Sequence, residues 1–190
     1  NFYCYQEDTL TIINSIIISN TNNEITMAGP IGGFLDISYS NVKNGEDSVF
    51  VASGTLVWGS GNIDVDPMFV DTSNGNYHLL ASSMLINAGH PDSTDSDGTR
   101  SDIGSYPYLN TYSGPTWYVG TAGNDVIGTG SIGEPFASIQ SAINFSTTDG
   151  DSVTVSEGTY VENIKFRGRN IKVISTDRGG SAAPETTIID

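Results

Sequence analysis

The chain has 190 residues, and its 7 Lys and Arg against 22 Asp and Glu give it a net charge of −15. Seven dispersed cations cannot neutralise a row of phosphates, so the composition argues against nucleic-acid binding and against attraction to anionic membranes. Asn, Ser, Thr and Gly supply 80 of the 190 residues, which excludes a helical bundle and favours strands and turns.

The first predicted elements are two strand segments, at 10–18 and 35–42, that share one pattern. At an offset of 25 residues, four pairs of positions align: Leu10 with Leu35, Ile12 with Ile37, Ser15 with Ser40 and Ile17 with Val42. A pair that tolerates the left-handed turn conformation follows each segment, Ser19–Asn20 and Asn44–Gly45. A strand-based period of this length predicts a solenoid in which each repeat is one coil.

The rest of the first half predicts a strand, an acidic loop and a linker. Within residues 61–71, the alternation of Ile63 and Val65 with aspartates predicts a strand with one dry and one wet face. An acidic, turn-rich loop covers 92–102, and residues 107–116 lack apolar periodicity and predict a linker. The predicted domains are therefore 1–106 and 117–190, joined by 107–116.

The second half opens with a strand at 117–119 and a glycine-rich loop at 120–133. A helix is predicted over 135–144, because Pro135 suits a first turn and an apolar face recurs with helical spacing. That face consists of Phe136, Ile139, Ala142 and Ile143. Four short strands follow, at 153–155, 163–166, 171–174 and 187–189, with a turn at Gly179–Gly180 before the last of them.

Two ordered sets of short strings, one in each half, carry a family resemblance. The first set is 61–71, 77–79, 82–83, 88–89 and 97–104, and the second is 117–119, 135–143, 149–151 and 158–163. The first resembles the C-terminal end, and the second the N-terminal cap and first coils, of right-handed parallel β-helix proteins, the pectate-lyase-like surface and secreted proteins of bacteria. The resemblance implies an all-β fold, a right-handed parallel β-helix (solenoid) in two partial modules, with the short helix capping a first coil.

Four aspartates of the acidic loop are the candidate metal ligands: Asp92, Asp95, Asp97 and Asp102. Alternating carboxylates around Gly98 resemble a calcium loop, since hard cations need several oxygen ligands from a tightly turning backbone. The alternative is a solvated turn in which aspartates cap backbone amides and Arg100 pairs with one of them. No cofactor is required in either case, and calcium is the one that the pattern suggests.

The remaining candidate residues are each given a structural interpretation beside a functional one. Asp64, Asp66 and Asp71 could act in pairs on a glycoside, but the family places such a string at the end of its solenoid, which favours a structural role. His78 and His90 have no Ser or Cys partner at recognisable spacing, and Tyr160, Glu162 and Asn163 resemble a turn of the first coil. No residue is predicted to be catalytic.

Two clusters suggest surfaces. The basic cluster could dock onto an acidic partner or form a solvated face: Arg167, Arg169, Lys172 and Arg178. The aromatic cluster beside the linker could stack on carbohydrate or pack against the caps: Tyr106, Tyr108, Tyr112, Trp117 and Tyr118.

The function favoured by these observations is that of an extracellular structural or adhesive module on a bacterial cell surface. Its first unit begins inside a coil at 1–4 and its second ends inside one at 187–190, which predicts head-to-tail stacking into a rod or fibre; a fragment of a longer chain is the alternative. No apolar run is long enough to span a bilayer, so membrane insertion is not expected. The other functional hypothesis is the ends of a carbohydrate-active enzyme, a polysaccharide lyase or glycoside hydrolase, whose active site would lie on middle coils.

Overall fold

The computed structural model describes residues 2–3, 9–18, 23–28, 33–176 and 187–190. Within these ranges the chain forms fifteen short strands and one α-helix, so the predicted all-β class with one short helix is confirmed. The predicted turns at Ser19–Asn20 and Gly179–Gly180, together with Arg178, lie outside the described residues.

The strands have two to six residues each and fall into six small sheets. Those before residue 60 are β1 (Phe2–Tyr3), β2 (Thr9–Ile13), β3 (Ile16–Ile17), β4 (Ile25–Ala28), β5 (Gly33–Ser38), β6 (Asn41–Val42), β7 (Val49–Val51) and β8 (Gly54–Trp58). Those after it are β9 (Phe69–Asp71), β10 (Asn76–Leu79), β11 (Thr116–Val119), β12 (Ser152–Val155), β13 (Gly158–Tyr160), β14 (Lys172–Ser175) and β15 (Thr187–Ile189). Helix α1 is Ile139–Phe145, and 3-10 helices occupy Glu46–Ser48 and Thr72–Asn74.

The chain divides into two compact units that alternate along the sequence. Unit 1 comprises residues 1–67 and 87–107, and unit 2 comprises 68–86 and 108–190. Residues 68–86 therefore group with the second half, although the sequence places them in the first. The compact units are defined by contacts between residues, whereas the predicted domains are continuous stretches of sequence. The domain boundaries 1–106 and 117–190 therefore stay a prediction.

Unit 1 is built from parallel ladders between successive passes of the chain. The strands align in the orders β1-β4-β7, β2-β5-β8 and β3-β6. Residues that pair across them are Leu10 with Leu35 and Leu56, Ile12 with Ile37 and Trp58, and Ile17 with Val42. The register predicted at an offset of 25 residues is thus confirmed. Each pass of the chain adds one strand to each of the first two ladders.

A single residue breaks each of the two long predicted strands. The break between β2 and β3 falls at Asn14 (φ 50°) and the break between β5 and β6 at Tyr39 (φ 46°), both in the left-handed region. Asparagine tolerates this region better than the isoleucines around it, whose branched Cβ would clash. On the next pass Gly61 (φ 76°) occupies the corner, where an added Cβ would overlap the Tyr39 ring.

The core of unit 1 follows from the two-residue period of its strands. Leu35 and Ile37 on β5 are fully buried, whereas Phe34 between the strand's buried positions is largely exposed. Ile25 and Met27 on β4 are buried in the same way, and Val42 completes the cluster. Inward apolar positions therefore stack on one another along the ladders.

One predicted strand of unit 1 is only partly formed. Ile63 makes an isolated parallel bridge with Asn41, and no strand covers 64–68. The predicted alternation is present in the burial, because Ile63 and Val65 are half-buried while Asp64 and Asp66 are exposed. The side chain of Asn41 takes the place of the missing ladder: it donates to the Val65 carbonyl and accepts from the Val65 amide, each at 3.0 Å.

Unit 2 combines two parallel sheets, a hairpin and the helix. The sheets have the orders β11-β12-β14 and β13-β15, and β9 and β10 pair antiparallel. Helix α1 contacts β11 and β12. The strand predicted at 163–166 is wrong, because residues 161–171 have no regular structure.

Helix α1 begins later than predicted. Residues 135–138 lie outside it, and Phe136 instead forms an isolated parallel bridge with Val119. The side chain of Ser138 caps the helix by accepting the Ser141 amide, a role in which serine is far more effective than the residues before it. The predicted apolar face is nevertheless buried throughout.

Candidate functional site

The acidic loop (residues 92–102), together with the residues on either side of it, is fastened to the corner of unit 1 at Asn14. The Asn14 carbonyl accepts from the Gly104 amide at 3.0 Å, and its side-chain oxygen accepts from the His90 amide at 2.7 Å. The Asn14 side-chain nitrogen donates to the Ser101 hydroxyl at 3.1 Å. One asparagine in the left-handed conformation thus organises both ends of the loop.

Three of the four predicted metal ligands serve as hydrogen-bond acceptors for the loop itself. Asp102, 3% exposed, accepts from the Asn87 amide at 2.7 Å, and its own amide donates to the Asp95 carboxylate at 2.9 Å. Asp97 accepts from the amide and the hydroxyl of Thr99 at 3.0 and 2.7 Å. These contacts match the amide capping of the alternative interpretation, although Asp102 is buried rather than solvated.

The fourth, Asp92, is exposed, and its amide donates to Nδ1 of His90 at 3.2 Å. In the part of the chain that the structure describes, no three His, Cys, Asp or Glu side chains are grouped to hold a metal ion. The structure therefore does not bring Asp92, Asp95, Asp97 and Asp102 together as one ligand set. Partial burial raises the pKa of Asp95, and the neighbouring Asp97 charge raises it further against the opposing hydrogen bond from the Asp102 amide.

Arg100 is directed at backbone and an aromatic ring. Its Nε donates to the Gly89 carbonyl at 2.7 Å, and its guanidinium carbon lies 5.8 Å from the centre of the Tyr39 ring. The His90 ring meets the same tyrosine edge-on at 4.8 Å. The sequence did not suggest this cluster, although Asn14 and Tyr39 occupy equivalent positions in the 25-residue alignment.

Of the three aspartates that could act on a glycoside, Asp71 has a structural role. Its carboxylate accepts from the amides of Ser73 and Asn74, and from the Ser73 hydroxyl and the Asn74 side chain at 2.6 Å each. These hydrogen bonds, those of the two side chains above all, lower the pKa of Asp71. Asp71 is thus the N-cap of the 3-10 helix at Thr72–Asn74, in agreement with the structural role that the sequence favours.

In unit 2, the strap (residues 161–170) runs along helix α1 and closes both of its ends. The Glu162 carboxylate accepts from the amides of Ile139 and Gln140 at 2.8 and 2.9 Å. The Gln140 side chain accepts from the Lys165 amide at 2.7 Å and donates to its carbonyl at 3.2 Å. At the other end, Arg169 donates to the carbonyl of Ile143. The predicted turn residue Glu162 is therefore a helix cap.

Two residues of the basic cluster, Arg167 and Arg169, take part in these hydrogen bonds. Arg167 donates to the Asn144 side chain at 3.0 Å and to the Ile86 carbonyl at 2.8 Å, and Arg169 closes the helix as described. Lys172 is exposed. Two of the four cations are thus placed on backbone and side-chain acceptors of unit 2, which fits neither the docking face nor the solvated face that the sequence suggested.

Three members of the aromatic cluster, Tyr108, Tyr112 and Trp117, make packing contacts, whereas Tyr106 is exposed. The Tyr108 hydroxyl donates to the Gly128 carbonyl at 2.7 Å, and its ring lies 5.4 Å from that of Phe145. Tyr112 meets Trp117 edge-on at 5.2 Å, and the Trp117 indole donates to Asp151 at 3.2 Å. Burial raises the pKa of Tyr108 far above its usual value. The segment predicted as a linker is therefore anchored to unit 2.

Comparison with known proteins adds nothing to this geometry: no protein family, no curated protein and no solved structure matches the chain. Within the described ranges, no helix has the length and hydropathy of a membrane span. The functional inference therefore depends on the architecture of the two units.

Proposed function

We propose that the chain is a structural or adhesive module of a bacterial extracellular or cell-surface protein, and that its successive passes are coils of a right-handed parallel β-helix. The observation that carries this proposal is the in-register return of the chain to the same parallel ladders of unit 1. Parallel ladders between consecutive passes, without intervening helices, are what stacked coils require.

Three features of unit 1 support the solenoid. Apolar residues recur at the inward positions of each pass, and residues with positive φ recur at one corner, at Asn14, Tyr39 and Gly61. Asn41 and Asn62 satisfy backbone groups of neighbouring passes through their side chains, as with the 2.7 Å bond from Asn62 to the Ile37 carbonyl. A repeated corner and repeated inward positions make each coil a template for the next.

Unit 2 supports the cap that the proposal needs. A helix laid on parallel strands covers the open end of a coil, whose backbone would otherwise be available to other chains. Helix α1 contacts β11 and β12 and is buried along its whole length. An experimental structure of the chain tests the proposal directly, and left-handed coils or a β-sandwich would contradict it.

Self-association is the second part of the proposal. A parallel ladder can be continued by a coil of the same direction, whether it comes from the same polypeptide or from a second copy, and such a contact is head-to-tail. We expect light scattering and negative-stain microscopy of the 190-residue chain to show filaments with a uniform axial repeat. Stable monomers at micromolar concentration would contradict assembly.

Catalysis is tested separately. Polygalacturonate and alginate are incubated with the chain in the presence of calcium, and unsaturated products are followed by absorbance, with heat-denatured chain as control. We expect no turnover above the control. Robust turnover would instead favour the carbohydrate-active enzyme.

The calcium prediction has its own measurement. Calorimetric titration of calcium into the chain and into Asp97→Ala separates the two interpretations of the acidic loop. Binding that disappears in the variant places the ion among Asp92, Asp95, Asp97 and Asp102, whereas equal heats in both proteins exclude that assignment.

A further inference from the structure

We propose that residues 108–190 carry a binding surface for the segment 68–86, and that the binding of this segment holds fragment 1–107 to fragment 108–190 even when the covalent chain between them is cut. The inference is independent of the proposed function, since it applies whether or not the chain is a β-helix. It follows from the alternation of the two units along the sequence.

The segment is bound mainly through its last eight residues, the anchor (residues 79–86). The Ala81 amide donates to the Asp125 carbonyl at 2.8 Å. The side chain of Asn144 donates to the carbonyls of Ala81 and Ser83, at 3.0 and 2.8 Å. Arg167 then donates to the Ile86 carbonyl at 2.8 Å. Backbone groups of the anchor are thus satisfied by residues far along the chain.

The anchor is also buried. Four of its apolar side chains are at most 3% exposed: Leu79, Ala81, Leu85 and Ile86. The residues before it, 72–75, are exposed, so the burial is confined to the part that the side chains of unit 2 engage. Apolar burial supplies affinity, and the donors to the carbonyls of Ala81, Ser83 and Ile86 favour the turned backbone that presents these groups together.

Asn144 and Arg167 are the specific elements of this surface. Asn144 is fully buried in α1, and its side-chain oxygen accepts from Arg167 at 3.0 Å while its nitrogen faces the anchor. The hydrogen bond between the two side chains therefore holds them in position independently of their bonds to the anchor carbonyls. If the anchor left, their donors would lose buried acceptors, which is costly.

The chain passes between the units at 67/68, 86/87 and 107/108. A cut at 107/108 leaves residues 68–86 covalently attached to residues 1–107. The cut would separate the fragments if the predicted domains 1–106 and 117–190 were independent, and would leave them associated if the anchor is seated in unit 2.

The experiment inserts a protease recognition sequence between Pro107 and Tyr108 of the full chain. Circular dichroism before cleavage checks that the insertion leaves the fold intact. After cleavage, we expect size-exclusion chromatography with light scattering to show one species with the mass of both fragments. Elution of two separate fragments would overturn the proposal.

Variants identify the contact responsible. Leu85→Ala changes the anchor alone and leaves the sequence of fragment 108–190 intact, whereas Asn144→Ala removes both donations to the anchor carbonyls. For each we expect the Kd between the cleaved fragments, measured by analytical ultracentrifugation, to rise about tenfold or more. The matched control is Asn163→Ala, an exposed asparagine of the strap, with an unchanged Kd. Fragments that stay associated with the same Kd in all three variants would be held by another contact, and the proposal would be wrong.

Discussion

The two units satisfy their backbone in different ways. In unit 1, parallel ladders join equivalent residues of successive passes, and side chains such as Asn41 act where a ladder stops. In unit 2, long irregular segments surround a seven-residue helix, and side chains of Glu162, Gln140 and Asn144 take the role of a ladder. Neighbouring strands therefore stabilise most of the backbone in the repetitive unit 1, whereas the irregular segments of unit 2 depend on individual side chains.

The cores differ in the same sense. Unit 1 stacks apolar side chains from successive passes: those of the middle pass, such as Leu35 and Ile37, are fully buried, and those of the passes on either side are partly buried against them. Unit 2 adds three buried aromatic rings to its aliphatic core, with Phe136 stacked at 5.2 Å on Phe145 and at 6.5 Å on Trp117. A single substitution is therefore expected to be more damaging in unit 2 than at the outer face of unit 1.

The largest expected effect is that of Phe136→Ala. Phe136 is fully buried between rings, and truncation of such a side chain removes about 3–5 kcal/mol from the free energy of unfolding. The matched control is Phe34→Ala in unit 1, where the ring is 46% exposed and the expected loss is less than about 1 kcal/mol. Urea denaturation followed by circular dichroism measures both losses, and equal losses would show that burial of the Phe136 ring does not set the cost of its truncation.

Asn41→Ala tests whether unit 1 depends on a side chain where its ladder stops. Asn41 is fully buried and makes two bonds with the Val65 backbone, so its loss leaves an amide and a carbonyl without these partners. We expect a cost of about 1–3 kcal/mol in the free energy of unfolding. Asn163→Ala, at an exposed position, serves as the control with less than about 0.5 kcal/mol. A neutral Asn41→Ala would mean that the ladder alone suffices.

Glu162→Gln weakens the cap of α1 without removing its shape. The amide keeps one acceptor oxygen but loses the second and the negative charge beside the helix N-terminus, for an expected cost of about 1 kcal/mol. Hydrogen exchange at Ile139 and Gln140, whose amides the carboxylate accepts, should accelerate. The exposed Glu157→Gln is the control, and the same exchange rates in both variants would show that the strap does not cap the helix.

The smallest effect is expected at Asp95. Because burial raises its pKa, the folded chain holds this proton more tightly than the unfolded chain, and stability falls as pH rises from the ordinary value of 3.8 to the raised one. Asp95→Asn keeps an acceptor for the Asp102 amide and removes this loss. We expect the variant to be more stable at pH 7 by less than about 1 kcal/mol, with the advantage absent well below pH 3.8. An advantage that persists in acid, measured by urea denaturation across pH, would contradict the burial of this carboxyl as its cause.

The sequence allowed the repetitive part of the fold to be predicted. The pairing of Leu10 with Leu35 and of Ile17 with Val42 follows from an alignment because equivalent residues do the same work in each pass. The start of α1 was placed too early, since the helical spacing of Phe136 outweighed the capping preference of Ser138. Both signals are local in sequence, and the capping preference of Ser138 sets where the helix begins.

The seating of residues 79–86 could not be predicted from sequence. Asn144 and Ala81 are 63 positions apart, and neither residue type indicates that the other is its hydrogen-bond partner. The acidic loop is a similar case: its aspartates suggest a metal as readily as they suggest caps, and the hydrogen bonds from the Thr99 and Asn87 amides leave no signal in the sequence. Contacts made once, between distant residues, leave no periodic trace.

The alternation of the units bears on how the chain would carry mechanical load. Both neighbours of the segment 68–86, Pro67 and Asn87, belong to unit 1, so a force that draws the units apart pulls on the segment from its two ends at once. Contacts loaded from both ends share the force and break together. A single linker would instead apply the whole force at one point, where contacts would break one after another. If the chain is the extracellular module proposed above, tension between its units would therefore load the contacts of residues 79–86 from both sides.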